Sequence, residues 1–204
     1  MLSSIHPFGE RSRNNTFART ATAHVIGSVT GGATLGLLVG ALGFVALGLV
    51  SLPTTARLAI LVVAAATATL LEATNRERLL PTRTRQVNEN WLQNYRGWVY
   101  GGGWGAELGF GVSTIITTAL IHILVLTMLL SGNILAAVLL GATFGFVRGA
   151  TVFAAYQVDS PERLRLFHQN LDRLRERSRI GSVASLAIAT TIGTLGLAGL
   201  GGLT

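Results

Sequence analysis

TATAHVIGSVTGGATLGLLVGALGFVALGLVSLPTTA, Thr20 to Ala56, contains no Asp, Glu, Lys or Arg. About 20 apolar residues suffice to cross roughly 30 Å of hydrocarbon, and this run is longer than that. Two further stretches, Leu108 to Val147 and Ile180 to Thr204, are equally free of charge. Charged residues make up 12% of the 204 residues, against about 25% in soluble domains, and the mean hydropathy is +0.53. The pattern predicts an all-α fold: a polytopic membrane helical bundle of five transmembrane helices.

The predicted spans are Val25 to Leu49, Arg57 to Ala73, Trp98 to Leu130, Ile134 to Tyr156, and Ile180 to Leu203. The second has an uncharged core of only Leu58 to Leu71, about 21 Å at 1.5 Å per residue. It needs Arg57 and Glu72 to snorkel, or a thin patch of bilayer. The third is too long for a straight crossing, about 50 Å, so a tilted, broken or partly interfacial helix is expected.

These spans divide the chain into a basic N-terminus (1–24), a first transmembrane hairpin (25–73), a basic linker (74–97), a second hairpin (98–156), an amphipathic linker helix (157–179) and a last transmembrane helix (180–204). The first 24 residues are polar and basic, without the apolar core of a cleavable signal peptide. All 16 basic residues are arginine, and 14 of them fall in the N-terminus and the 74–97 and 157–179 linkers. Arginine-rich loops stay on the cytoplasmic side. The expectation is a multi-pass protein of the inner membrane with a cytoplasmic N-terminus.

The formal net charge of +7 then implies contact with anionic lipid headgroups at the cytoplasmic face. Nucleic acid is not an expected partner, because the arginines are split between linkers that carry no reader fold. Absence of cysteine removes disulfides, thiolate metal sites and thiol redox chemistry.

Both linkers carry structure of their own. In SPERLRLFHQNLDRLRERSR, Ser160 is placed to cap a helix with Pro161 at its first position. Leu164, Phe167, Leu171 and Leu174 then recur at steps of three and four, as in a helix lying on a membrane surface. In VNENWLQNYRGWVY, Trp91, Tyr95, Trp98 and Tyr100 form an interfacial aromatic belt; a partner-docking surface is the alternative.

GATLG at Gly32 to Gly36 recurs as GAELG at Gly105 to Gly109, and Pro81, Arg83, Arg85 and Asn90 recur as Pro161, Arg163, Arg165 and Asn170. A basic linker followed by two spans would be the repeating unit. GATFG at Gly141 to Gly145 is out of phase with it and argues against the repeat.

Chemistry-bearing residues are sparse. Glu107 lies ten residues from Gly97, about 15 Å along a helix. Arg148 precedes Tyr156 by eight, about 12 Å on a span of opposite direction. Intramembrane charges pair with one another, so Glu107 and Arg148 are predicted to form an intramembrane charge pair. Such a pair either fixes the register of two helices or serves as a proton or substrate site. His122 is a candidate polar site, alone on an apolar face, where a structural histidine is the ordinary reading. No histidine pair has metal-ligand spacing, and no metal or other cofactor is expected. Gly32 with Gly36 and Gly105 with Gly109 form GxxxG helix-packing motifs. The triple glycine 101–103 is a place where a helix could unwind. No catalytic residue set is found.

GWVYGGGWGAELGFGVSTII, then SGNILAAVLLGATFGFVRGA, then an arginine-rich linker and a glycine-rich last span resemble transmembrane cytochrome c biogenesis proteins of the CcdA and DsbD type. The resemblance implies a membrane fold of helices around a glycine-rich segment. That family carries a Pro-Cys motif where this chain reads GFGVSTI at Gly109 to Ile115, so its thiol relay does not transfer. The expected function is a small integral membrane protein acting as a non-catalytic accessory or scaffold subunit. It would pack through GxxxG faces and its amphipathic linkers, with a second copy or another membrane protein as partner. The alternative is a small-solute or proton-coupled transporter using Glu107 and Arg148.

Overall fold

The structure, a computed structural model, describes residues 4–76, 90–111 and 118–201, excepting the side chains of Gln93, His168, 171–176, Leu200 and Gly201. The described residues are an all-α bundle: α1 Pro7–Ser12, α2 Phe17–Val50, α3 Thr54–Ala73, α4 Trp91–Asn94, α5 Gly97–Phe110, α6 Leu120–Leu130, α7 Ile134–Ala150 with a 3₁₀ turn Thr151–Ala155, and α8 Pro161–Gly201. Four stretches, Phe17–Val50, Thr54–Ala73, Ile134–Ala155 and Arg177–Gly199, are long and apolar enough to cross a membrane. Their outward faces carry Leu38, Leu42, Phe44, Leu139 and Ile192, all more than half exposed. Only a hydrocarbon surrounding makes so much exposed apolar surface favourable. The chain is membrane-embedded.

Helix ends follow local chemistry. α2 stops where Ser51 turns left-handed at φ 50°, with Pro53 two residues on. Asn133 caps α7 by accepting the Ala136 N–H at 3.0 Å, and Ser160 caps α8 by accepting the Arg163 N–H at 3.3 Å. Each satisfies a backbone donor that the first helical turn leaves open.

α2 is the spine. α5 runs parallel to it, from Gly97 beside Thr20 to Gly109 beside Ser28. α7 runs antiparallel, from Ala137 beside Gly36 to Gly149 beside Ser28. α6 continues upward along α2, with Leu129 against Gly43. α5 and α6 therefore lie along α2 one after the other. α3 and α8 form an antiparallel pair, with Val62 on Gly193 and Arg179 hydrogen-bonded to Asn75. They meet the rest through α6, where Ala68, Ala119 and Leu186 pack together.

Several boundaries differ from the sequence reading. The helix of the first predicted span, α2, begins at Phe17 rather than Val25, because Thr20, Ala21 and His24 pack inward against α5 and extend it beyond the apolar run. The third span is broken, and the break is not at the triple glycine 101–103, which is helical. α5 ends instead at Gly111, whose φ of 70° is readily available only without a Cβ; residues 112–117 lie outside the described set. The 157–179 linker is not a separate surface helix, since Pro161–Gly201 is one helix through both segments. Most of the 74–97 linker, including Pro81, Arg83, Arg85 and Glu89, also lies outside the described residues.

Candidate functional site

Two small-residue ladders meet at Ser28. On one side, Gly97, Gly101, Gly105 and Gly109 recur every fourth residue along α5 and face Thr20, His24 and Ser28, also every fourth residue, on α2. A Cβ at Gly105 would overlap the His24 carbonyl oxygen, and one at Gly109 the Ser28 carbonyl oxygen. On the other side, a Cβ at Gly32 would overlap the Gly141 oxygen, one at Gly36 the Ala137 oxygen, and one at Gly145 the Ser28 oxygen. α2 thus touches α5 and α7 backbone to backbone, an approach only small residues allow.

The first ladder is also hydrogen-bonded. The Ser28 hydroxyl donates to the Gly105 carbonyl at 3.0 Å, and His24 Nδ1 lies 3.2 Å from the Gly101 carbonyl. Thr20 continues the stripe by donating to Glu10 at 2.8 Å. Buried polar groups need such partners, and here they fix both register and depth. GATFG, out of phase as a repeat, is the antiparallel packing partner of GATLG: Gly141 and Gly32 would each clash with the other's oxygen if given a Cβ.

Below Ser28 the bundle has a polar base that the sequence reading placed in a cytoplasmic tail. Glu10 is fully buried. Its carboxylate accepts from Thr20 at 2.8 Å, from Tyr100 Oη, and from Arg13 at 2.8 Å in an ion pair. Asn15 bridges to α5, accepting the Gly97 N–H at 3.3 Å and donating to Tyr100 at 3.4 Å. Burial opposes the Arg13 charge, but hydrogen bonding and attraction to Glu10 hold its pKa above the ordinary value. Tyr100, expected in the interfacial belt, is instead interior with Trp104, Ile5, Ala21 and Val152. Trp98 and Tyr95 remain half exposed.

The predicted site residues fall as follows. Arg148 reaches α5 beside Glu107, donating to the Leu108 carbonyl at 3.1 Å with its guanidinium 5.4 Å over the Phe144 ring. Glu107 is half-buried near the C-terminal end of α5. His122 is half-buried in the first turn of α6. Along α2, 19 residues separate Leu47, beside the 131–133 turn at Gly132, from Ser28. That is about 29 Å of rise, close to the whole hydrocarbon thickness. Glu107 and Arg148 are level with Ser28, toward the α1 end of the bundle.

Glu72, expected to snorkel, is only 2% exposed. It accepts the Ala119 N–H at 2.8 Å and the Thr118 hydroxyl at 3.4 Å, and Thr118 contacts Ser182 at 3.3 Å. A carboxylate at the start of α6 satisfies an open donor and the positive helix end together. Glu72→Ala should cost about 1–3 kcal/mol, seen as a melting temperature lowered by several degrees in detergent. An unchanged melting temperature would mean that Glu72 does not hold α6.

Thr20, His24 and Ser28, and the extension of the Gly105 and Gly109 pair back to Gly101 and Gly97, are what sequence reasoning missed. Their shared four-residue spacing was a visible signal. Glu10 had none, because its partners Thr20 and Tyr100 are 10 and 90 residues away.

The chain is similar to the methylamine utilization protein MauF of Paracoccus versutus, at 29% identity over 193 residues, covering 94% of this chain and 68% of that protein. No family model and no solved structure matches.

Proposed function

We propose that this chain is a non-catalytic scaffold subunit of the inner membrane, with a cytoplasmic N-terminus, that serves methylamine utilization. The packing around Ser28 carries the scaffold part. α2 is held on both sides by backbone contact and by Ser28 and His24 hydrogen bonds, and such an arrangement resists the sliding that alternating access requires. The similarity to MauF carries the process. Thiol relay is no part of the role, because the chain has no cysteine.

Deleting the gene is expected to abolish growth on methylamine while leaving growth on ammonium intact. Normal growth of the deletion strain on methylamine would overturn the assignment to this process.

One observation favours transport as a second reading: the break after Phe110, with Arg148 bound to the Leu108 carbonyl beside it. Discontinuous helices of this kind bind solutes in transporters. Solute flux into liposomes containing the purified protein, lost in Arg148→Gln, would select it.

A further inference from the structure

Beside the Glu10 network lies an open cleft of about 690 Å³, lined by Arg13, Asn15, Asn90, Asn94, Tyr95 and Arg96 among others. From these residues we infer that the cleft binds a phosphate-type anion, one per chain.

Among the described residues its lining is rich in donors and contains no carboxylate. The Arg96 guanidinium brings up to five N–H donors, while Arg13 already donates to Glu10 and Ser4 and Asn15 to Tyr100. The acidic group nearest in the network, Glu10, is buried behind Arg13 and already accepts from Thr20, Tyr100 and Arg13. Its charge balances Arg13 but not Arg96, which makes no ion pair with a described residue. Arg96 is also the N-cap of α5, whose first turn holds no acidic residue, so the positive end of that helix opens at the same place.

A phosphate group, with several oxygens and at least one full charge, uses such donors better than a single carboxylate does. Asn15, held by Gly97 and Tyr100, gives the cleft a fixed wall. Half-exposed Trp98 and Tyr95 beside it mark an interfacial position, where the phosphate is supplied either by a lipid headgroup or by a soluble anion.

Full-length protein in uncharged detergent is tested in two arms. In one, inorganic phosphate is titrated calorimetrically. In the other, phosphatidylglycerol is added and bound lipid is counted by native mass spectrometry. Saturable binding of one ligand in either arm supports the site, and the arm that responds names the source. Arg96→Gln, at an exposed position outside the Glu10 network, should weaken that binding at least about tenfold. Asn94→Ala should weaken it less, and Arg165→Gln, on the exposed face of α8, should not change it. Failure to bind in both arms, or equal binding by wild type and Arg96→Gln, would overturn the proposal.

Discussion

Gly32→Ala is expected to destabilise the bundle severely, although it adds one methyl group to a helix. In a soluble helix the same change is favourable by up to about 1 kcal/mol. Here the new Cβ would overlap the carbonyl oxygen of Gly141, and a Cβ at Gly141 would overlap that of Gly32. The obstacle is backbone, so no side-chain rotation relieves it, and α2 must separate from α7 along its length. Overpacking costs about 1–3 kcal/mol when side chains can adjust, so about 3 kcal/mol or more is expected here. Separation would also strain the Ser28 bond to Gly105 on the opposite side. Thermal denaturation in detergent, followed by loss of monodisperse protein, measures the effect. Gly48→Ala and Gly196→Ala are the controls: nothing lies within 4 Å of a Cβ at either position, so neither should lower stability.

Glu10→Ala should produce the second large effect, confined to the base. Removing the carboxylate strands the Tyr100 hydroxyl and leaves Arg13 without its ion-pair partner. Removing one member of a buried pair costs about 3–5 kcal/mol, and partial exposure of Arg13 places this case near the lower value. α1 should then detach from α2 and α5, exposing Arg11 and Arg13 to trypsin, while the crossing helices stay folded. Glu10→Gln keeps the shape and should give a smaller effect of the same kind. Because the folded pKa of Arg13 is raised above its already strongly basic unfolded value, its contribution is present below the unfolded value and is lost only as pH rises through the folded one. Alkaline buffer at pH 9 should therefore not imitate Glu10→Ala through Arg13. Unchanged proteolysis of Glu10→Ala would show that the network does not hold α1.

The crossing helices were legible because charge is so costly in hydrocarbon that its absence marks a span directly. Their ends were less so. Nothing in the polarity of Thr20 to His24 shows that this segment belongs to α2, because its reason to be helical is α5. The triple glycine 101–103 looks like a break by intrinsic propensity. It is helical because Gly101 lies against Thr20 and Gly103 against the Trp91 ring, and tertiary packing outweighs propensity. Glu107 is the most conspicuous charge in the sequence, whereas Glu10 and Glu72 stand close to polar neighbours. Both of these are buried, yet each resembles an ordinary flanking residue until its distant partners are in place.

The central claim is that α2 and α7 keep one arrangement while the protein works. A Cβ at Gly40 falls 2.6 Å from the Ala137 Cβ, inside the roughly 3.8 Å that a disulfide spans. Gly40→Cys with Ala137→Cys should therefore cross-link after a shift of about 1 Å, against a background free of other cysteines. The measurement is growth on methylamine by the deletion strain carrying this pair, with the cross-linked fraction read from gels. Growth equal to that of the single-cysteine variants, at nearly complete cross-linking, is the predicted result. Growth lost in proportion to cross-linking would show that the two helices must move, and would contradict the scaffold account.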